Sequence, residues 1–207
     1  MKPLTEGTAK FLGLLVRPGA EQVGEWIGDR IQIARHQNIE KVVSKAKAKL
    51  DADGTEPRPI PTKILFPIID KCSVEDEEDM IDRWANLLAA SASGVNVPPS
   101  YVQTLATLSP AEARLLDLIS RRQAFLESFP AHYVVQQTAL KEESKLPDVE
   151  YRRVILSLFQ LGLVRRVPEK QALEYPTVAN MPIFSALLVA TTDFADDFLA
   201  VCSPKSR

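Results

Sequence analysis

Two histidines, two cysteines and one dense run of carboxylates are the residues in this sequence with the means to hold a metal, attack a substrate or move a proton. His36 and His132 stand far apart, with no HxxxH or HxxE spacing around either, so a shared metal ion would need a coincidence of folding. Cys72 and Cys202 fall in no CxxC or Cys/His pattern and read as two reduced thiols. The run Glu75-Asp76-Glu77-Glu78-Asp79 lacks the alternating ligands and the glycine of a calcium loop. Its crowding before an apolar stripe suits a helix start instead, where carboxylates meet the positive end of the helix dipole. Nothing in the chain pairs a nucleophile with a base or builds a glycine-rich phosphate cradle. The expectation is therefore a non-enzymatic protein with no catalytic residues, no metal and no cofactor.

The elements that would carry these residues are helical for most of the chain. At 207 residues, with 45% hydrophobic and 25% charged residues, the sequence is long and apolar enough for two modest helical units. Lys plus Arg total 25 against 27 for Asp plus Glu, and a net charge of -2 gives no global attraction to phosphates or anionic lipid. The apolar stretch Phe11 to Val16 is far shorter than the roughly 20 residues of a spanning helix and carries no signal-peptide cleavage pattern. A cytoplasmic location is expected.

Residues 3 to 16 form an amphipathic helix on Leu4, Thr8, Phe11, Leu12 and Leu15, suited to docking inside the protein, on a partner or on a membrane surface. After Pro18 a long helix should run to about Leu50 on the stripe Val23, Ile27, Ile31, Ala34, Val42 and Ala46, and it offers a route to self-association. Gly24 and Gly28 form a GxxxG around Trp26, which in a charged helix reads as close packing in solution and not as membrane dimerisation. Early acids (Glu21, Glu25, Asp29) and late lysines (Lys41, Lys45, Lys47, Lys49) match the helix dipole.

Asp51 to Gly54 followed by Pro57, Pro59 and Pro61 predicts a hinge or boundary, then a short helix over 61 to 71. Ser73 should cap the next helix, with the acidic run in its first turns and Ile81, Trp84, Ala85 and Leu88 on its buried face. Trp84 is the expected core anchor, and Asn86, pointing away from that stripe, is a candidate interaction residue.

Further helices are expected over Ser100 to Leu108, from the capping box Ser109-Pro110-Ala111-Glu112 to about Ser128, and over 131 to 141. A helix from Asp148 to Gly162 leads into the strand Leu163 to Val167, and a second apolar run, Ala186 to Ala190, completes an antiparallel ribbon. A last helix carries Phe194, Phe198 and Val201. The expected fold is mainly α: an N-terminal helical region over 1 to 55, a linker and Trp-centred helix over 56 to 97, and a winged-helix-like domain with a small β-ribbon over 98 to 207.

A winged helix raises DNA binding, with Arg152, Arg153, Arg165 and Arg166 as the available cations. Asp148 and Glu150 at the start of the same helix, and Glu142 and Glu143 before it, would repel phosphates.

Three segments carry a family likeness: Gly24-Glu25-Trp26-Ile27-Gly28-Asp29, Glu56-Pro57-Arg58-Pro59-Ile60-Pro61, and Glu78 to Ala90 containing Trp84-Ala85-Asn86-Leu87-Leu88-Ala89. It continues through Leu108-Ser109-Pro110 and Leu161-Gly162-Leu163-Val164. With these residues the chain resembles the bacterial Abi-alpha (abortive infection) proteins over roughly residues 20 to 202. The resemblance implies a role in phage defence, in which an infected bacterium arrests or sacrifices itself before the phage matures. It brings no catalytic residues. Two functions are therefore expected in competition: a defence protein acting through a protein partner or self-association, and a winged-helix DNA-binding regulator.

Overall fold

A computed structural model describes residues 4–16, 33–127, 135–166 and 188–203. The chain divides into two compact units, one of residues 1–107 and 201–207, the other Leu108–Ala200.

The first unit holds α1 (Glu6–Leu15), α2 (Ile33–Ala52), α3 (Thr62–Cys72), α4 (Glu78–Ser93) and α5 (Pro99–Thr107). Ile39, Val42, Val43, Ala46 and Leu50 recur every three or four residues along α2, so they share one face, and all are buried. That face meets α4, α1 and α3. The earlier part of the expected stripe, Val23, Ile27 and Ile31, lies outside the described residues, as do Gly24, Trp26 and Gly28. Gly54, at φ +61°, ends the helix in a left-handed turn that lets the Thr55 N–H donate to the Leu50 carbonyl at 2.9 Å.

The apolar face of α1 is covered within its own unit. Phe11, Leu12 and Leu15 are buried against α2, and the Thr5 N–H donates to Glu40 Oε1 at 2.7 Å.

The expected hinge is corrected. The proline-rich segment after α2 is extended but tied down, because the Arg58 N–H donates to the Ala92 carbonyl at 2.7 Å and the Ile60 N–H to the Leu15 carbonyl at 2.8 Å. The start expected for the Trp-centred helix is corrected too. Ser73 closes α3, its hydroxyl donating to the Asp70 carbonyl at 2.7 Å, and α4 begins at Glu78. Only Glu78 and Asp79 of the five carboxylates stand in its first turn. The boundary expected at residue 98 falls at Leu108, since Tyr101, Val102 and Leu105 bury α5 within the first unit, where it packs on α3 and α4.

The second unit contains α6 (Pro110–Glu127), β1 (Val135–Gln136), α7 (Gln137–Ser144), α8 (Asp148–Gln160), β2 (Val164–Arg166), β3 (Leu188–Thr191) and the body of α9 (Asp193–Cys202). The capping box at its start is formed: the Ser109 N–H donates to Glu112 Oε2 at 2.6 Å and the Glu112 N–H to Ser109 Oγ at 3.3 Å. α6 packs against α7, α8 and β3 with Leu115, Leu116 and Ile119 inside.

The ribbon is antiparallel as expected, with Arg165 opposite Ala190, but the sheet has a third strand. Val135–Gln136, expected in a helix, pairs antiparallel with β3 to give the order β1-β3-β2. Gly162, at φ +68°, ends α8: its N–H donates to the Phe159 carbonyl and that of Leu163 to the Leu158 carbonyl, a Schellman closure that turns the chain straight into β2. Thr192 fastens the same corner to α9, its hydroxyl donating to the Gly162 carbonyl at 2.7 Å and accepting from the Ala195 N–H at 3.2 Å.

Candidate functional site

Chemistry requires reactive groups that water or substrate can reach, and the thiols fail this condition. Burial pushes the Cys202 thiol up to about 12, with the Arg83 charge opposing it, and raises Cys72 further still. His36 is half-buried on α2, with its Nδ1 unpartnered, and His132 lies outside the described residues. No group of three or more His, Cys, Asp or Glu able to hold a metal occurs among the described residues.

Glu78 of the acidic run and three of the late lysines of α2, expected to serve their own helix dipoles, also face each other. Lys41, Lys45 and Lys49 project at every fourth position toward Glu78, Asp82 and Asn86 of α4, also every fourth position. Lys45 donates to Glu78 and, at 2.7 Å, to Asp82 Oδ1, and Lys49 donates to Asn86 Oδ1. Partial burial alone would lower the Lys45 ammonium, but hydrogen bonds to Asp82 and Glu78 outweigh it and hold the pKa above its usual value. The Lys45 hydrogen bond and charge hold Glu78 below the usual carboxylate range.

Asn86 does not point outward, which corrects its expected placement. It is 9% exposed, and its Nδ2 donates to the Cys202 carbonyl at 2.9 Å, fixing residues 201–203 to α4 within the first unit. The buried Arg83 reaches the same segment, donating from Nη1 to Ser203 Oγ at 3.4 Å. Trp84 is 1% exposed at the centre of α4, with no hydrogen-bond partner for its indole N–H. The most family-like stretch of the sequence is thus an internal fastening.

In the second unit, Arg152, Arg153, Arg165 and Arg166 are all exposed. Arg152 and Arg153 lie on α8, and Arg166 crosses from β2 to lie over the Phe159 ring, 5.6 Å from its centroid. Arg165 alternates to the other side of β2. The sequence reading missed what stands between the arginines. Val149 is 67% exposed and Leu156 54%, two of the five large apolar side chains exposed among the described residues. At 100° per residue Val149, Leu156 and Gln160 run down one outward line of α8, with Arg152 on one flank and Arg153 on the other. At the start of α8, Asp148 is engaged by Lys141 and held below the usual carboxylate range by that hydrogen bond and charge.

A groove of about 350 Å³ beside α6 and α7 is lined by Leu115, Leu118 and Leu146 together with Arg114, Asp117, Arg121 and Glu143. Glu143 is engaged by Arg122, whose Nε donates to it at 2.7 Å.

The chain is thus mainly helical, in two units, with a small antiparallel sheet and an arginine-flanked apolar helix face. The chain belongs to the abortive infection alpha family, whose model matches residues 34–202. That membership connects it with abortive infection defence. No curated protein and no solved structure matches the chain. No helix among the described residues is long and apolar enough to cross a membrane.

Proposed function

We propose that this protein acts in abortive infection without catalysing a reaction, as a cytoplasmic protein that engages another protein through the outward face of α8. The observation that carries the reading is the pair Val149 and Leu156, exposed on one line of a helix whose opposite face, Tyr151, Val154, Ile155 and Leu158, is fully committed to the core. Large apolar side chains left in water on a rigid element are what binding surfaces use as anchors.

The order helix, strand, helix, helix and two strands, with β3 between β1 and β2, supports reading the second unit as a winged helix. In that fold α8 would be the helix offered to a DNA groove, which is the competing regulator reading, and the four arginines favour it. Val149 and Leu156 weigh against it, because two branched apolar side chains at the centre of the face displace the polar groups that read base edges.

The test is to express the chain in bacteria and challenge them with a panel of phages. Fewer plaques are expected with the native chain, and the native plaque count with Arg152→Glu plus Arg153→Glu at an unchanged melting midpoint would overturn the assignment to α8. Plaque counts unaffected by the native chain across the panel would overturn the defence role.

A further inference from the structure

The face of α8 also says what kind of partner it takes, an inference that rests on the interaction reading above. We infer that it binds an acidic amphipathic segment of a partner protein, one that places apolar side chains on Val149 and Leu156 and carboxylates against Arg152 and Arg153. Val149 and Leu156 are seven residues apart, about 10 Å along the helix axis. A partner helix with apolar residues at positions i and i+7 spans that distance. Carboxylates beside the apolar line of that helix meet a guanidinium on each flank, nearer the line than Glu150, where arginine can hold a carboxylate by two parallel bonds.

The same arrangement argues against a second copy of this chain. An antiparallel pairing of two α8 helices would bring Val149 of one copy onto Leu156 of the other, with the two-fold axis passing midway between them. Arg152 and Arg153 stand at that midpoint, so four guanidinium groups would converge at the axis against only the two Glu150 carboxylates beside them. Like charges brought together on desolvation select against such a pairing. An acidic occupant turns the same two arginines from a penalty into an attraction.

The experiment uses the full chain and fluorescent probes: a helix-forming peptide of about 15 residues with leucines on one face flanked by glutamates, the same peptide with lysines for the glutamates, and a DNA duplex. The acidic peptide should bind with a micromolar Kd, weakening about tenfold or more between low and high salt. Arg152→Glu with Arg153→Glu should weaken it at least about tenfold, and Val149→Ser with Leu156→Ser should weaken it too, both with unchanged melting midpoints. Absence of acidic-peptide binding, equal binding by the lysine peptide, or binding untouched by either double variant would overturn the inference. Tighter binding of the DNA duplex, lost in Arg152→Glu with Arg153→Glu, would assign the face to nucleic acid. If the variants abolish phage protection while the acidic peptide does not bind the native chain, the partner chemistry fails and the interaction reading stands. If protection survives in the variants, the interaction reading itself fails.

Discussion

Asn86 and Trp84 show how closely neighbouring residues can differ in what they contribute. Asn86 spends both ends of its amide on other elements, the oxygen on Lys49 and the nitrogen on the Cys202 carbonyl. Asn86→Ala should lower stability by roughly 1–3 kcal/mol in urea denaturation, because a buried carbonyl and an ammonium each lose a partner. Trp84→Ala should cost roughly 3–5 kcal/mol through the cavity it leaves. Trp84→Phe should cost far less than the alanine change, since the indole N–H it removes makes no hydrogen bond. A phenylalanine variant as unstable as the alanine one would contradict this. The periodicity of α4 made Trp84 legible as core. It misplaced Asn86, because a binary apolar pattern treats every polar residue as outward, whereas an amide satisfied by a lysine and a helix end is comfortable inside.

At the scale of elements, the contact between α2 and α4 is electrostatic at its edge and should respond to pH. Glu78 has a folded pKa below its ordinary value of 4.5. A group depressed in this way contributes fully above its unfolded pKa and loses that contribution as pH falls through the folded value. The melting midpoint should therefore fall as pH drops below about 4.5, and Lys45→Ala should flatten the dependence; an identical slope in the variant would show that other carboxylates govern it. These pairs are partly exposed, so added salt should mimic part of the loss. The corner after α8 offers a backbone test. Gly162 has φ +68° and no atom within 4 Å of where a Cβ would stand, so Gly162→Ala should cost about 1 kcal/mol from backbone strain alone. Helix boundaries set by such local chemistry, Ser109 with Glu112 and Gly162, could be read directly from the sequence. β1 could not, because two residues carry no period and Val135–Gln136 becomes a strand only through its pairing with β3.

For the whole molecule, the two kinds of surface separate two kinds of failure. Variants in α4 should lose phage protection in proportion to their loss of melting midpoint, whereas variants of Arg152, Arg153, Val149 or Leu156 should lose it with the midpoint unchanged. Protection that tracks stability in both groups would leave α8 with no role of its own. The general architecture, mainly helical with a ribbon near the C-terminus, was legible because long periodic helices announce themselves. The unit boundary at Leu108 was not, since α5 belongs to the first unit through packing on α3 and α4, which the chain order conceals. The arginines of α8 were visible as cations, but the apolar line between them needed the structure, which shows which of the helix's two faces the core had already taken.

The lysines of α2 fix more than an attraction. Lys41, Lys45 and Lys49 are interchangeable in type, so a slide of α2 by one helical turn would still find acids for some of them. The last position removes that freedom in one direction, because a slide bringing Lys45 to Asn86 sets Lys49 beside Ala90, whose side chain accepts no proton. A slide the other way would carry Lys49 to Asp82 and leave Asn86 without its ammonium, so a single amide among charges serves as an index mark that favours one alignment of two parallel helices.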